Sequence, residues 1–121
     1  MIQRFEIKGR LPGANEYQAA CRRFAKEGAR MKREATEAVA WSAKVAHLKP
    51  MQAPVLVRIT WLEPYMRRDK DNIRFGAKFV LDGLQEAGVI GNDNWKWIAG
   101  ISDDYRVNSV DPRVIVELEE A

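Results

Sequence analysis

Asp69 and Asp71 stand two residues apart, just past an alternating apolar run and just before a helical pattern. In an extended segment residues i and i+2 point the same way, so the two carboxylates converge on one point. Neighbouring carboxylates repel unless a proton or cation lies between them. A hard cation with oxygen ligands suits the pair. Mg2+ in particular binds through one or two carboxylates, keeps several waters and adds substrate phosphate. Asp93, in the polar turn Gly91-Asn92-Asp93-Asn94, is a third candidate ligand, provided the strand after the intervening helix pairs beside the strand before it. A metal so held lowers the pKa of bound water, polarises a phosphoryl oxygen and steadies a leaving oxygen, which is what phosphodiester cleavage requires.

Other side chains are placed to assist. Lys78 lies seven residues beyond Asp71, close to two helical turns, and Arg74, Lys78 and Asp82 follow one another at i+4 steps on that side. A cation there neutralises charge building on a pentacovalent phosphate; the plain alternative is a Lys78–Asp82 surface ion pair worth little. Asn72 is placed to cap the helix or orient a ligand. Tyr65 and Met66, beside the loop, are candidates to touch bases. The one histidine, His47, falls at a helix end and reads as structural or surface, and metal-assisted hydrolysis needs no histidine base. The one cysteine, Cys21, excludes an internal disulfide and a multi-cysteine zinc site, and reads as core.

These residues need elements to hold them. Residues 2–8 alternate, with Phe5 and Ile7 on one side, and predict a half-buried strand. Gly9 to Gly13, with Pro12, is a turn, and Asn15 can cap the helix after it. Residues 16–46 predict one long helix or two end to end, with Tyr17, Cys21, Phe24, Met31, Ala35, Val39 and Ala46 near helical spacing. Val55 to Trp61 is the strongest strand, burying Val55, Val57, Ile59 and Trp61. A second helix fits residues 72–87, burying Ile73, Ala77, Val80, Leu81 and Leu84, with Gly88 as its stop. Trp95 to Ile101 and Tyr105 to Val110 predict two strands around Gly100, and Val114 to Leu118 a last one. Trp95 and Trp97 are candidates for either an interface or the core. The order is roughly β-α-β-α-β-β-β: a single small α+β domain with a mixed sheet and two main helices.

The chain has 121 residues, enough for one domain with a real core. With 46% hydrophobic and 31% charged residues it has the composition of a soluble globular protein. No apolar run is long enough to span a membrane. The opening Met1-Ile2-Gln3-Arg4-Phe5-Glu6 mixes charge among apolar residues, unlike a secretory signal, so a cytosolic protein is expected. Net charge is only +3, but it is unevenly spread. Residues 1–50 carry eleven Lys/Arg against five Asp/Glu, and residues 79–121 carry three against nine. Arg22, Lys26, Arg30 and Arg33 share one helical face, either a solvated stripe or one that contacts phosphates.

The block Arg68-Asp69-Lys70-Asp71-Asn72, Lys78, Leu81-Asp82-Gly83-Leu84, Ala87-Gly88-Val89-Ile90 and Asp93 resembles the RusA family of Holliday-junction resolvases, including its phage-borne relatives. It covers about a fifth of the chain, in the right order, and Leu11-Pro12-Gly13-Ala14-Asn15 is similar to the family's Pro/Asn loop. The resemblance implies a homodimeric, Mg2+-dependent endonuclease, with Mn2+ as a substitute metal. Such an enzyme resolves four-way DNA junctions by paired symmetric nicks in recombination and repair, in a bacterial or phage-infected cytoplasm. It implies Asp69, Asp71 and Asp93 as metal carboxylates and Lys78 as the catalytic lysine. Lys78 lies about one turn farther from the Asp71-Asn72 pair than the family pattern has it, which leaves Arg74 as a second candidate for its role. Arg67, Arg68, Arg74, Asn15, Arg22, Lys26, Arg30 and Arg33 are then the expected DNA contacts. The alternatives are a catalytically silent nucleic-acid-binding module of the same fold, and a structural domain whose acids only close turns.

Overall fold

The computed structural model describes residues 1–121, in eight elements. β1 (Ile2–Lys8) is followed by α1 (Ala14–Arg23), α2 (Ala25–Val45) and β2 (Val55–Glu63). Then come α3 (Lys70–Arg74), α4 (Ala77–Glu86), β3 (Ile98–Val107) and β4 (Arg113–Glu120). The four strands form one mixed sheet in the order β1-β4-β2-β3. β4 runs antiparallel to both its neighbours, while β2 and β3 run parallel. This is the expected α+β domain.

Alternation decides which face of the sheet is covered. Phe5 and Ile7 lie opposite Val116 and Val114, and Val57, Ile59 and Trp61 lie opposite Leu118, Val116 and Val114. All are buried, in one cluster with Val39 and Ala43 of α2 and Phe79, Val80 and Leu84 of α4. Each large apolar side chain withdrawn from water here contributes about 1.5–3 kcal/mol. On alternate positions the sheet carries exposed charge: Arg58 reaches across to Glu117 and Glu119 at 3.1 and 2.7 Å. No helix is long and apolar enough to cross a membrane.

The long helical pattern of residues 16–46 breaks at Phe24, which is extended (φ −152°, ψ 139°) and exposed. Packing, not Gly or Pro, makes the break. α1 lays Tyr17 against Phe75 and Phe79, while α2 lays Val39 against Gly83, where a β-carbon would meet Val39 at 2.5 Å. A straight helix of that span, about 45 Å long, cannot do both. Cys21 is exposed rather than core, because the break turns its side of α1 toward Gly28 instead of the sheet. Phe24 and Ala46 likewise fall outside the core.

Gly13 is the N-cap of α1, not Asn15; its amide donates to the Glu16 carboxylate at 2.6 Å. The second helix is also two, since hydrogen bonds step to i−3 spacing at Gly76, Lys78 and Phe79. Gly76 sits there against the Trp61 ring and Leu11, where a β-carbon would be tight at 3.2 Å. Gly88 ends α4 at φ +76°, as its position predicts, and His47 ends α2 in the same left-handed conformation. β3 is one strand, not two. Gly100 pairs with Leu56 after a bulge that leaves Ala99 unmatched, so the glycine marks an irregularity rather than a gap. Trp95 lies before the strand, wholly exposed, and Trp97 packs partly on the core.

Candidate functional site

β2 and β3 run parallel and carry their carboxyl ends to the same edge, the usual place for a ligand crevice in such sheets. A cleft of about 660 Å³ opens there, lined by Glu63 to Asp71, Ile73 and Tyr105 to Val107, apart from Pro64. Asp69 and Asp71 both face it and are exposed. Asp69 is the extended N-cap of α3 (φ −65°, ψ 153°) and Asp71 lies in its first turn. Neither carboxylate forms an ion pair; Asp71 accepts only the amide of Asn72, at 2.9 Å. Two unpaired carboxylates beside open solvent fit Mg2+, which takes few protein ligands and keeps its waters.

The same cleft is rich in cations. Arg67, Lys70 and Arg106 line it with the acids. The Arg67 guanidinium lies 4.7 Å from the centre of the Tyr65 ring, and Arg10 covers that ring at 5.5 Å. Lys70 lies over the Tyr105 ring at 5.6 Å. Met66, at the tip of the loop, is 90% exposed. Burial raises the Tyr105 phenol above its ordinary value, helped by the charges of Asp103 and Asp71 and opposed by Arg74.

The remaining acids at this end are engaged. Asp103 accepts from the Trp61 indole at 2.9 Å and from Arg74 at 2.7 Å. Asp104 pairs with Arg106 at 2.7 Å; that hydrogen bond, with the Arg106 charge, holds its carboxyl below the usual carboxylate range.

Asp93 is not with them. The register runs from Val55 beside Ile98 to Glu63 beside Val107. The turn holding Asp93 precedes β3, so the length of β2 separates it from Asp71, roughly 25 Å at strand rise. The condition set for Asp93 is met, since β3 does pair beside β2, but the parallel direction puts the turn at the wrong end. Nowhere in the chain do three His, Cys, Asp or Glu side chains converge as a metal-binding group.

The candidate cations divide in the same way. Lys78 is exposed, makes no ion pair with Asp82 and does not line the cleft. Arg74 is held by Asp103. Arg68 is not a free DNA contact, because its side chain is 9% exposed and bound to Glu63 and Glu16. The side chain of Asn15 is exposed, but its amide donates to the buried Asn72 at 2.9 Å. Asn72 thus satisfies a first-turn amide of α1 from across the fold. Arg22, Lys26, Arg30 and Arg33 are all exposed, and Arg30 pairs with Glu34. The break at Phe24 separates Arg22 from the other three, which share a shallow depression on α2. No protein-family model matches the chain, and no curated protein matches it.

Glu63, Lys70, Tyr105 and Arg106 lie in the cleft without having been singled out from the sequence. Tyr105 and Arg106 enter through the parallel pairing of β3 with β2, Tyr105 directly beside Trp61. The D-x-D spacing alone does not reveal that pairing.

Proposed function

We propose that the chain is a Mg2+-dependent endodeoxyribonuclease of the RusA kind, nicking four-way DNA junctions. The observation that carries this reading is the pair of unpaired carboxylates, Asp69 and Asp71, set among Arg67, Lys70 and Arg106 in one cleft. The cations draw a phosphate chain toward the cleft. Asp69 and Asp71 would hold the metal, which when bound supplies an activated water and polarises a phosphoryl oxygen. The Arg10 and Arg67 guanidinium groups over the Tyr65 ring would offer an unstacked base a flat cationic surface. Arg67 and Lys70, which no acid holds, would face the scissile phosphate ahead of Lys78, and Arg106 would join them on leaving Asp104.

Paired symmetric nicks call for a C2 dimer. Asp93 joins the carboxylate pair only from a second copy, and Trp95 near it, 98% exposed, is an apolar anchor for that contact. Mixing Asp71→Asn with Asp93→Asn protein tests this. Shared sites leave one intact site in each mixed dimer, restoring about a quarter of wild-type sites if subunits mix freely. A mixture as inactive as its parents would rule the arrangement out.

For the activity itself, a synthetic four-way junction with Mg2+ should be nicked by wild type and left whole, though still bound, by Asp71→Asn. The lack of three converging acids favours one other reading, a silent junction-binding module. Binding without cleavage under every divalent ion would establish it.

A further inference from the structure

The loop holding Asp69 and Asp71 is fixed at both ends to one other segment, Leu11 to Glu16. At the near end the Arg68 guanidinium donates to Glu63 through Nε at 3.0 Å and Nη2 at 2.8 Å. Its Nη1 donates to the Leu11 carbonyl and to Glu16, each at 3.1 Å. Arg10 donates to Glu63 from a further side at 3.1 Å. Arg68 and Glu63 are 9% and 8% exposed in their side chains. Burial alone would lower the Arg68 pKa, but the hydrogen bonds and charge of Glu63, then those of Glu16, outweigh it and raise it. At the far end Asn72 accepts the Asn15 amide at 2.9 Å and leaves Gly13 no room for a β-carbon, which would lie 2.5 Å from its Oδ1.

We infer that Arg68 is a positioning residue, which sets the spacing of Asp69 and Asp71 by tying their loop to Glu63 and to the Leu11–Glu16 segment. The inference rests on the reading of those aspartates as metal carboxylates. A buried charge pair is by itself weak support for stability. Four donor contacts on a side chain next to the first carboxylate instead fix geometry, and only the guanidinium fork can make them together. Lysine keeps the charge and loses the fork.

Mn2+ affinity, measured from free-ion EPR on protein without DNA, provides a test separate from cleavage. Arg68→Lys should stay folded by circular dichroism and bind Mn2+ about 10–100-fold more weakly, the usual cost of removing a partner that orients metal ligands. Gly13→Ala disturbs the Asn72 anchor without touching Arg68 and should shift affinity the same way; it decides the matter if Arg68→Lys does not fold. Folded variants within twofold of wild type would overturn the inference. Asp71→Asn separates the two failures. If wild type binds Mn2+ and Asp71→Asn does not, but the anchor variants match wild type, only the positioning role falls. If wild type binds no Mn2+, or Asp71→Asn binds it equally well, the metal reading falls and the positioning role with it.

Discussion

The two ends of the parallel pair β2–β3 are built differently. At the carboxyl end the loop from Arg67 to Asn72 is braced by Glu63, Arg68 and Asn72, and Trp61 and Arg74 grip Asp103 beside it. At the amino end the turn with Asp93 has mostly local bonds: the Asp93 amide donates to the Asn92 side chain, and the Trp97 amide to the Asn94 side chain. Both ends carry an exposed aspartate, but only one holds its acids in a fixed frame. Metal chemistry needs ligands kept near one geometry, which is why we propose the braced end as the site and the loose end as the place where a second copy would be met.

Glu63 is where this difference should break most severely. Glu63→Ala leaves the Arg68 and Arg10 charges without their shared buried partner and should cost about 3–5 kcal/mol. Asp93→Ala, on the exposed turn, should stay within about 0.5 kcal/mol. Urea unfolding of both checks the contrast, and equal losses would erase it. Trp61→Phe keeps most of the ring but removes a donor to Asp103, for about 1–2 kcal/mol in the same assay. Arg58→Ala, on the open face of the sheet, should cost less than Trp61→Phe, and added salt should shrink that further.

The smallest effect is a titration. Tyr105 has its pKa raised, so the folded chain holds that proton more tightly than the unfolded one. The stability this contributes is present below the ordinary tyrosine value of about 10 and is lost as pH rises through the raised folded value. Ultraviolet titration should show a late phenolate component, with Tyr17 and Tyr105 both in it, that Tyr105→Phe diminishes. A late component undiminished by that substitution would show that neither burial nor the charges of Asp103 and Asp71 raise Tyr105.

How much the sequence reveals obeys the same division. β1, β2 and β4 show plainly in their alternation because one face is buried and the other charged, and Gly88 marks a stop that only a left-handed residue makes. β3 is obscured because an edge strand is only half buried, and Gly100, the residue that looks like a gap, closes a bulge. The break at Phe24 leaves no local mark, since it answers to two different packing partners. Asp69 and Asp71 are legible from spacing because they are neighbours in the chain. The Arg68–Glu63 bond is not: charge in a basic run reads as a DNA contact until the fold shows it turned inward. The distance of Asp93 from that pair within one chain is illegible for the complementary reason, since spacing along the chain says nothing about whether the next strand runs parallel.

On the proposed function, the braced carboxylates hold a metal that cuts DNA. The direct measurement is nicking of a labelled four-way junction with Mg2+, wild type beside Asp71→Asn, with junction binding tracked in parallel. Paired nicks by wild type, and binding without nicks by Asp71→Asn, are the expected result. Intact junctions with wild type under every divalent ion, or nicks by Asp71→Asn at the wild-type rate, would contradict it.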